Sequence, residues 1–136
     1  MPRELINPPG LPVPPRYSQV VVATGSRQVF VAGQLPIDDG GSLVGAGDLA
    51  AQTEQTLRNV ATALAAADAT FADVVRLGIY IAGFDETSIG RYAAGLARAA
   101  DIVRAPDGPP SATLVGVTAL ALPGQLIEIE ATAVLP

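Results

Sequence analysis

Ile127-Glu128-Ile129-Glu130-Ala131-Thr132-Ala133 alternates apolar and polar residues with a period of two, the repeat of a strand with one face on a core and the other toward water. Ile127, Ile129, Ala131 and Ala133 share one side, and Glu128, Glu130 and Thr132 share the other. Immediately upstream, Pro123-Gly124 reads as a turn leading out of another apolar strand, Thr113 to Leu122. Val74 to Ile81 is apolar on both faces apart from Arg76 and Gly78, which predicts cover on two sides. Nearer the N-terminus, Val20-Val21-Val22 and Val29-Phe30-Val31 flank Gly25-Ser26, a hairpin signal.

Between these strands the repeat changes to that of a helix. Asp48 is a suitable N-cap for a helix with apolar and small residues at Thr53, Leu57, Val60, Ala61 and Leu64. Thr70 to Asp73 forms a short turn before the central strand. Asp85 is the expected cap of a second helix, with Phe84 and Ile89 as a hydrophobic staple and a buried stripe through Tyr92, Ala93, Leu96, Ala100 and Val103. The order is therefore ββαβαββ. Strict βα alternation is missing, so the expectation is an α+β sheet with both helices on one face. Residues 1–16 form a Pro-rich arm, in which Asn7 to Pro15 holds five prolines and can be neither helix nor central strand.

Composition narrows the chemistry. A chain of 136 residues has the size of one domain. It contains no Cys and no His, and all eight of its basic residues are Arg. Thiol nucleophiles, disulfides, thiolate and imidazole metal sites, imidazole bases and lysine Schiff bases are thereby excluded. Thirteen acids leave a net charge of −5, the wrong sign for a nucleic-acid partner. At 15% the charged fraction is low, which suggests that part of the surface is covered by another subunit. No apolar run is long enough for a membrane span, and Met1-Pro2-Arg3-Glu4 lacks the order of a signal peptide, so a cytoplasmic protein is expected.

Few side chains remain as candidates. Glu128 and Glu130 are successive outward positions, about 6.5–7 Å apart by strand geometry. A carboxylate pair of that kind could serve a glycosidase, but the alternation equally describes a solvated strand face, and glycosidase acids come more naturally from separate elements. Tyr17 either packs the entry to the first strand or contacts a ligand. Gly33 is either a strand exit or a point where something approaches the backbone closely. Gly40-Gly41 and Gly45 match no phosphate loop.

Taken together, four segments resemble the RidA family of reactive-intermediate deaminases, also called the YjgF type. Phe30-Val31-Ala32-Gly33-Gln34-Leu35-Pro36 resembles its "SGQ-P" strand end, and Ala50 to Val60 its first-helix signature. Asp73-Val74-Val75 resembles the entry to its central strand, and Ile127-Glu128-Ile129-Glu130-Ala131 its "EIEA" strand. The resemblance implies a chorismate-mutase-like protomer in a homotrimer with three ligand pockets between subunits. It also implies hydrolysis of a small enamine or imine without metal or organic cofactor. Carried over by position, Tyr17, Ala32, Gly33 and the stretch Ala112-Thr113-Leu114 fall on ligand contacts, and Glu128 on the acid that directs water.

Three positions depart from the family pattern. Ala32 stands for the strand-end serine, Gly90 lies near the second-helix asparagine, and Ala112 replaces the "P-x-R" arginine that grips the substrate carboxylate. A charge-assisted hydrogen bond contributes about 1.5–3 kcal/mol, so its loss points away from 2-imino acids toward a less acidic ligand, unless Arg91 or Arg104 takes its place. Three functions compete: a hydrolase of imines or related carbonyl derivatives, a non-catalytic small-molecule-binding or holdase-like trimer, and an endoribonuclease. The acidic charge and the missing His and Lys disfavour the last.

Overall fold

The computed structural model describes residues 3–136. Its centre is a four-stranded sheet of β3 (Arg27–Gln34), β6 (Ile127–Leu135), β4 (Val74–Ala82) and β5 (Ser111–Val117), in that spatial order. β6 is antiparallel to both neighbours, whereas β4 and β5 run parallel. A separate antiparallel pair joins β1 (Arg3–Ile6) to β2 (Val20–Ala23). α1 (Leu49–Ala65) and α2 (Ser88–Arg98), followed by the short α3 (Ala100–Val103), lie on one face of the sheet. This is the expected mixed α+β architecture.

The period-two reading of β6 agrees residue by residue with its burial. Ile127, Ile129, Ala131, Ala133 and Leu135 are buried under the helices, and the residues between them are half-buried or exposed. Register extends the same division across the sheet: Ile81, Ile79 and Leu77 lie opposite Ile127, Ile129 and Ala131, while Tyr80, Gly78 and Arg76 lie opposite Glu128, Glu130 and Thr132. Leu57, Val60 and Leu64 of α1 are fully buried against this apolar layer. Each such side chain contributes about 1.5–3 kcal/mol on removal from water.

Several local expectations are corrected. Gly25-Ser26 does not close a hairpin, because β2 pairs with β1 and β3 with β6. Gly25 is instead the link between two sheets, and a side chain there would collide with the Leu135 carbonyl. Part of the Pro-rich arm is ordered strand, anchored by the fully buried Arg3 guanidinium. It bonds the Val74 carbonyl, the Gly108 carbonyl at 2.8 Å and both Asp107 oxygens at 2.7 and 3.0 Å. β5 ends at Val117, and Pro123-Gly124 turns the chain without making β5 and β6 neighbours, since β6 inserts between β3 and β4. β4 is covered on one face only within a chain, and Arg76 is exposed on the other.

Helix starts behave differently from each other. Asp48 caps α1 as expected, accepting from the Ala51 N–H at 3.1 Å. Asp85 accepts from the Thr87 N–H and hydroxyl at 2.8 and 2.6 Å, in a turn before α2, whose first residue is Ser88. Phe84 and Ile89 are both exposed, so no staple forms, and Phe84 lies instead against Gly116. α1 and α2 pack closely because Gly95 leaves room for Thr53. The buried Gln52 amide then ties α1 to the loop before β6, donating to the Gly45 and Gly124 carbonyls and accepting from the Leu126 N–H at 2.7 Å. Among the described residues no helix is long and apolar enough to cross a membrane.

Candidate functional site

Two kinds of surface are built on this sheet. On the helix side, β5, α2 and the segment before β2 enclose a cavity of about 420 Å³. Ala112 and Leu114 line it from β5, Tyr17 and Arg16 from the N-terminal segment, and Ile89, Tyr92 and Leu96 from α2. The backbone around its mouth is tied down by Ser18, which donates its N–H to the Pro110 carbonyl at 2.9 Å and its hydroxyl to the Pro109 carbonyl at 2.6 Å. Tyr17 beside it keeps 37% of its surface exposed. Tyr92 is buried, and this desolvation holds its phenol well above the usual range, so the hydroxyl stays protonated.

The open side of the sheet carries the polar groups. The β3 strand bulges between Val31 and Gln34, where three residues of spacing meet two on β6. The Glu128 carboxylate lies directly against Gly33 at this bulge, where any side chain would collide with it. Gln125 Nε2 donates to Glu128 Oε1 at 3.2 Å. The close backbone approach foreseen at Gly33 is thus an approach by Glu128. One step along the sheet, Glu130 repeats the arrangement over Gly78, and its Oε1 accepts from the Tyr80 hydroxyl at 2.7 Å. The bond to that carboxylate raises the Tyr80 pKa, since a phenolate would face a second negative charge. Arg76 donates to the Thr113 hydroxyl on the same face. Arg76, Gly78, Tyr80, Thr113 and Glu130 line a depression of about 430 Å³ together with Phe30 and Val115, and Glu128 and Gly33 lie outside its lining.

The predicted site residues therefore fall into two groups within one chain. Tyr17, Ala112 and Leu114 share the helix-side cavity, whereas Ala32, Gly33 and Glu128 sit at the β3 bulge and Thr113 points to the open face. Alternation along β5 is the reason, since neighbouring residues on a strand cannot face the same way. Neither replacement guanidinium reaches the cavity: Arg91 donates to Thr87 at 2.6 Å, and Arg104 follows α3 outside the lining. Arg16 does line it, although nothing in its sequence context except adjacency to Tyr17 marks it. Tyr92, expected only as part of a buried stripe, lines the cavity as well, and periodicity does not distinguish it from core. Among the described residues no three metal-binding side chains cluster.

Comparison with known proteins agrees with this architecture. The profile of a family described as Endoribonuclease L-PSP matches residues 11–135. Protein DfrA of Myxococcus xanthus is 32% identical over 123 residues, covering 87% of this chain and 84% of that protein. The 3-aminoacrylate deaminase RutC of Acinetobacter baylyi is 36% identical over 81 residues, covering 60% of this chain and 64% of that one. A crystal structure of the Rid-family protein YyfB from Yersinia pestis superposes with a TM-score of 0.89 at 39% identity, over 99% of this chain and 100% of that one.

Proposed function

The chain belongs to the endoribonuclease L-PSP family, the YjgF/RidA-type proteins, and from that membership we propose that it is a homotrimer whose intersubunit pockets take a small metabolite and hydrolyse an imine, enamine or related carbonyl derivative. The observation that carries this reading is the Glu128 carboxylate held against Gly33 at the β3 bulge. An acid in that position has one side supported by its own sheet and the other free to meet a bound molecule. Trimer formation would join the Glu128 and Gly33 group of one subunit to the Tyr17, Ala112 and Leu114 group of a neighbour, which one chain holds apart. The open face offers the seam, since Phe30 is 73% and Val115 40% exposed there.

In the proposed reaction Glu128 accepts a proton from water as the oxygen bonds to the C=N carbon. The proton then passes to nitrogen to give a carbinolamine, and as the C–N bond breaks its hydroxyl proton is transferred to the departing nitrogen, so that a carbonyl compound and ammonia leave. An enamine enters the same route after protonation at carbon. The deaminase named among the relatives acts on 3-aminoacrylate, an enamine, which supports this reaction class. Ala112 leaves no guanidinium fork at the position that would grip a carboxylate, so the favoured substrate is less acidic than a 2-imino acid. The net charge of −5 argues against RNA as the substrate.

Incubation with freshly generated 2-aminoacrylate, followed by pyruvate formation, tests the reading. The native chain is expected to be weak, and Ala112→Arg to improve it by about 10- to 100-fold, the worth of a charge-assisted bond. Glu128→Gln is expected to remove about 100-fold or more of any turnover. Absence of activity in both the native and the Ala112→Arg chains would favour the alternative, a non-catalytic binding trimer. A monomer in light scattering would remove the composite pocket altogether.

A further inference from the structure

We propose that the cavity beneath α2 binds a neutral, largely apolar carbonyl compound, held by a hydrogen bond from the Tyr92 hydroxyl to the carbonyl oxygen. The proposal deepens the reading above by naming the ligand class of its Tyr17, Ala112 and Leu114 half, and it rests on that half being a ligand site.

Size is the first support. About 420 Å³ is within the range of small-molecule pockets, and the exposed Tyr17 and Ile89 at its rim leave it open to entry from solvent. The walls are the second: Leu57, Leu77, Ile79, Leu96 and Leu114 surround the space with hydrocarbon. A space lined in this way gains little from water and regains lost dispersion contacts when an apolar body fills it.

Tyr92 is the third and most specific observation. It is 5% exposed and lines the cavity, and among the described residues nothing hydrogen-bonds its hydroxyl. The fully buried side-chain oxygens without a partner among the described residues are those of Thr53 and Thr56, so the Tyr92 hydroxyl opens onto the cavity, where an acceptor can reach it. Because the phenol remains protonated, it offers a donor and not an anion. Charge decides the rest. Ala112 supplies no cation inside, and Arg16, an exposed residue whose charge reaches the Tyr92 phenol, is the cation at the cavity's rim. A carboxylate entering the interior would lose its hydration without an ionic partner. A ketone or aldehyde fits instead, and it is also the product form of imine hydrolysis.

Calorimetric titration of the full chain with benzylacetone, butylbenzene and phenylbutyrate separates the possibilities, because the three share an aromatic body and differ in the polar group. Benzylacetone is expected to bind about 3- to 10-fold more tightly than butylbenzene, the value of one neutral hydrogen bond. Tyr92→Phe should erase that difference while leaving butylbenzene unchanged. It should not lower the melting temperature, since the hydroxyl has no internal partner to lose. Failure of benzylacetone to bind, equal binding of ketone and hydrocarbon, or a Tyr92→Phe chain that melts several degrees lower would each overturn the proposal. Tightest binding by phenylbutyrate would also overturn it and assign Arg16 as an anion anchor. The unaltered Glu128 keeps the two readings apart: benzylacetone binding by native and Ala112→Arg chains that turn over no imine sinks the hydrolase alone.

Discussion

The two faces of the central sheet are made by the same strands and serve opposite ends. Under the helices, Ile127, Ile129, Ala131 and Ala133 of β6 meet Leu57, Val60 and Leu64 in a hydrocarbon layer, beside which Gln52, Thr53 and Thr56 of α1 are also fully buried. On the other face, one residue away at every step, Glu128 and Glu130 rest on glycines, Tyr80 and Arg76 hold polar partners, and Phe30 stands in solvent. The first face supplies the hydrophobic free energy that keeps the chain folded. The second is thereby free to hold charges and an exposed aromatic ring. Stability and the proposed assembly surface are thus separated by a single residue of register, so substitutions on the two faces should fail in different ways.

The sharpest test of that separation is Ile129→Ala, which removes a fully buried side chain from the covered face and should cost about 2–5 kcal/mol in urea unfolding. A loss under 1 kcal/mol would mean that the layer is loosely packed and the contrast overstated. Next in size is Asp107→Asn. Its carboxylate pairs with a fully buried guanidinium, and the hydrogen bonds from Arg3 hold its pKa below the ordinary carboxylate value. About 1.5–3 kcal/mol should be lost at neutral pH. Because the folded pKa is the lower one, the contribution is complete above the unfolded value and disappears as pH falls through the folded value. The Asn variant should therefore show a flatter acid limb in its stability profile than the native chain.

Phe30→Ser probes the open face and should change the chain's own folding by no more than about 0.5 kcal/mol, as a surface substitution does. Its effect belongs in sedimentation velocity, where the proposed trimer should dissociate at higher concentration than the native protein. A folding loss as large as that of Ile129→Ala would erase the distinction between the faces. The smallest effect is local: Glu130→Gln should let Tyr80 ionise at lower pH, because the raised pKa comes chiefly from that carboxylate. The Tyr80 ring resonances, followed by NMR across alkaline pH, report it directly.

Much of the fold is legible along the chain. β6 can be assigned to a half-buried strand from its alternation, and α1 from Asp48 and its apolar stripe, since both signals act between residues close in sequence. Asp85 misleads because an Asx turn and an N-cap use the same side-chain acceptor, and only the backbone path decides which one forms. Of the site, Glu128 and Gly33 can be singled out early, but their contact cannot, because it depends on a bulge that places three residues of β3 against two of β6. Tyr92 and Arg16 escape notice for the opposite reason: a tyrosine in a helical stripe and an arginine in a Pro-rich segment have ordinary explanations until a cavity is found between them.

Local periodicity and composition were sufficient for the α+β class, the covered face of β6, and the exclusion of thiol, imidazole and lysine chemistry, because these follow from side-chain types and their spacing alone. Strand order was not. The hydrogen bonds that put β6 between β3 and β4, and β1 beside β2, join backbones that are alike at every residue, so no short stretch of sequence records its partner. The cavity beneath α2 and the contact of Glu128 with Gly33 are consequences of that order, and they exist only once the whole chain has packed.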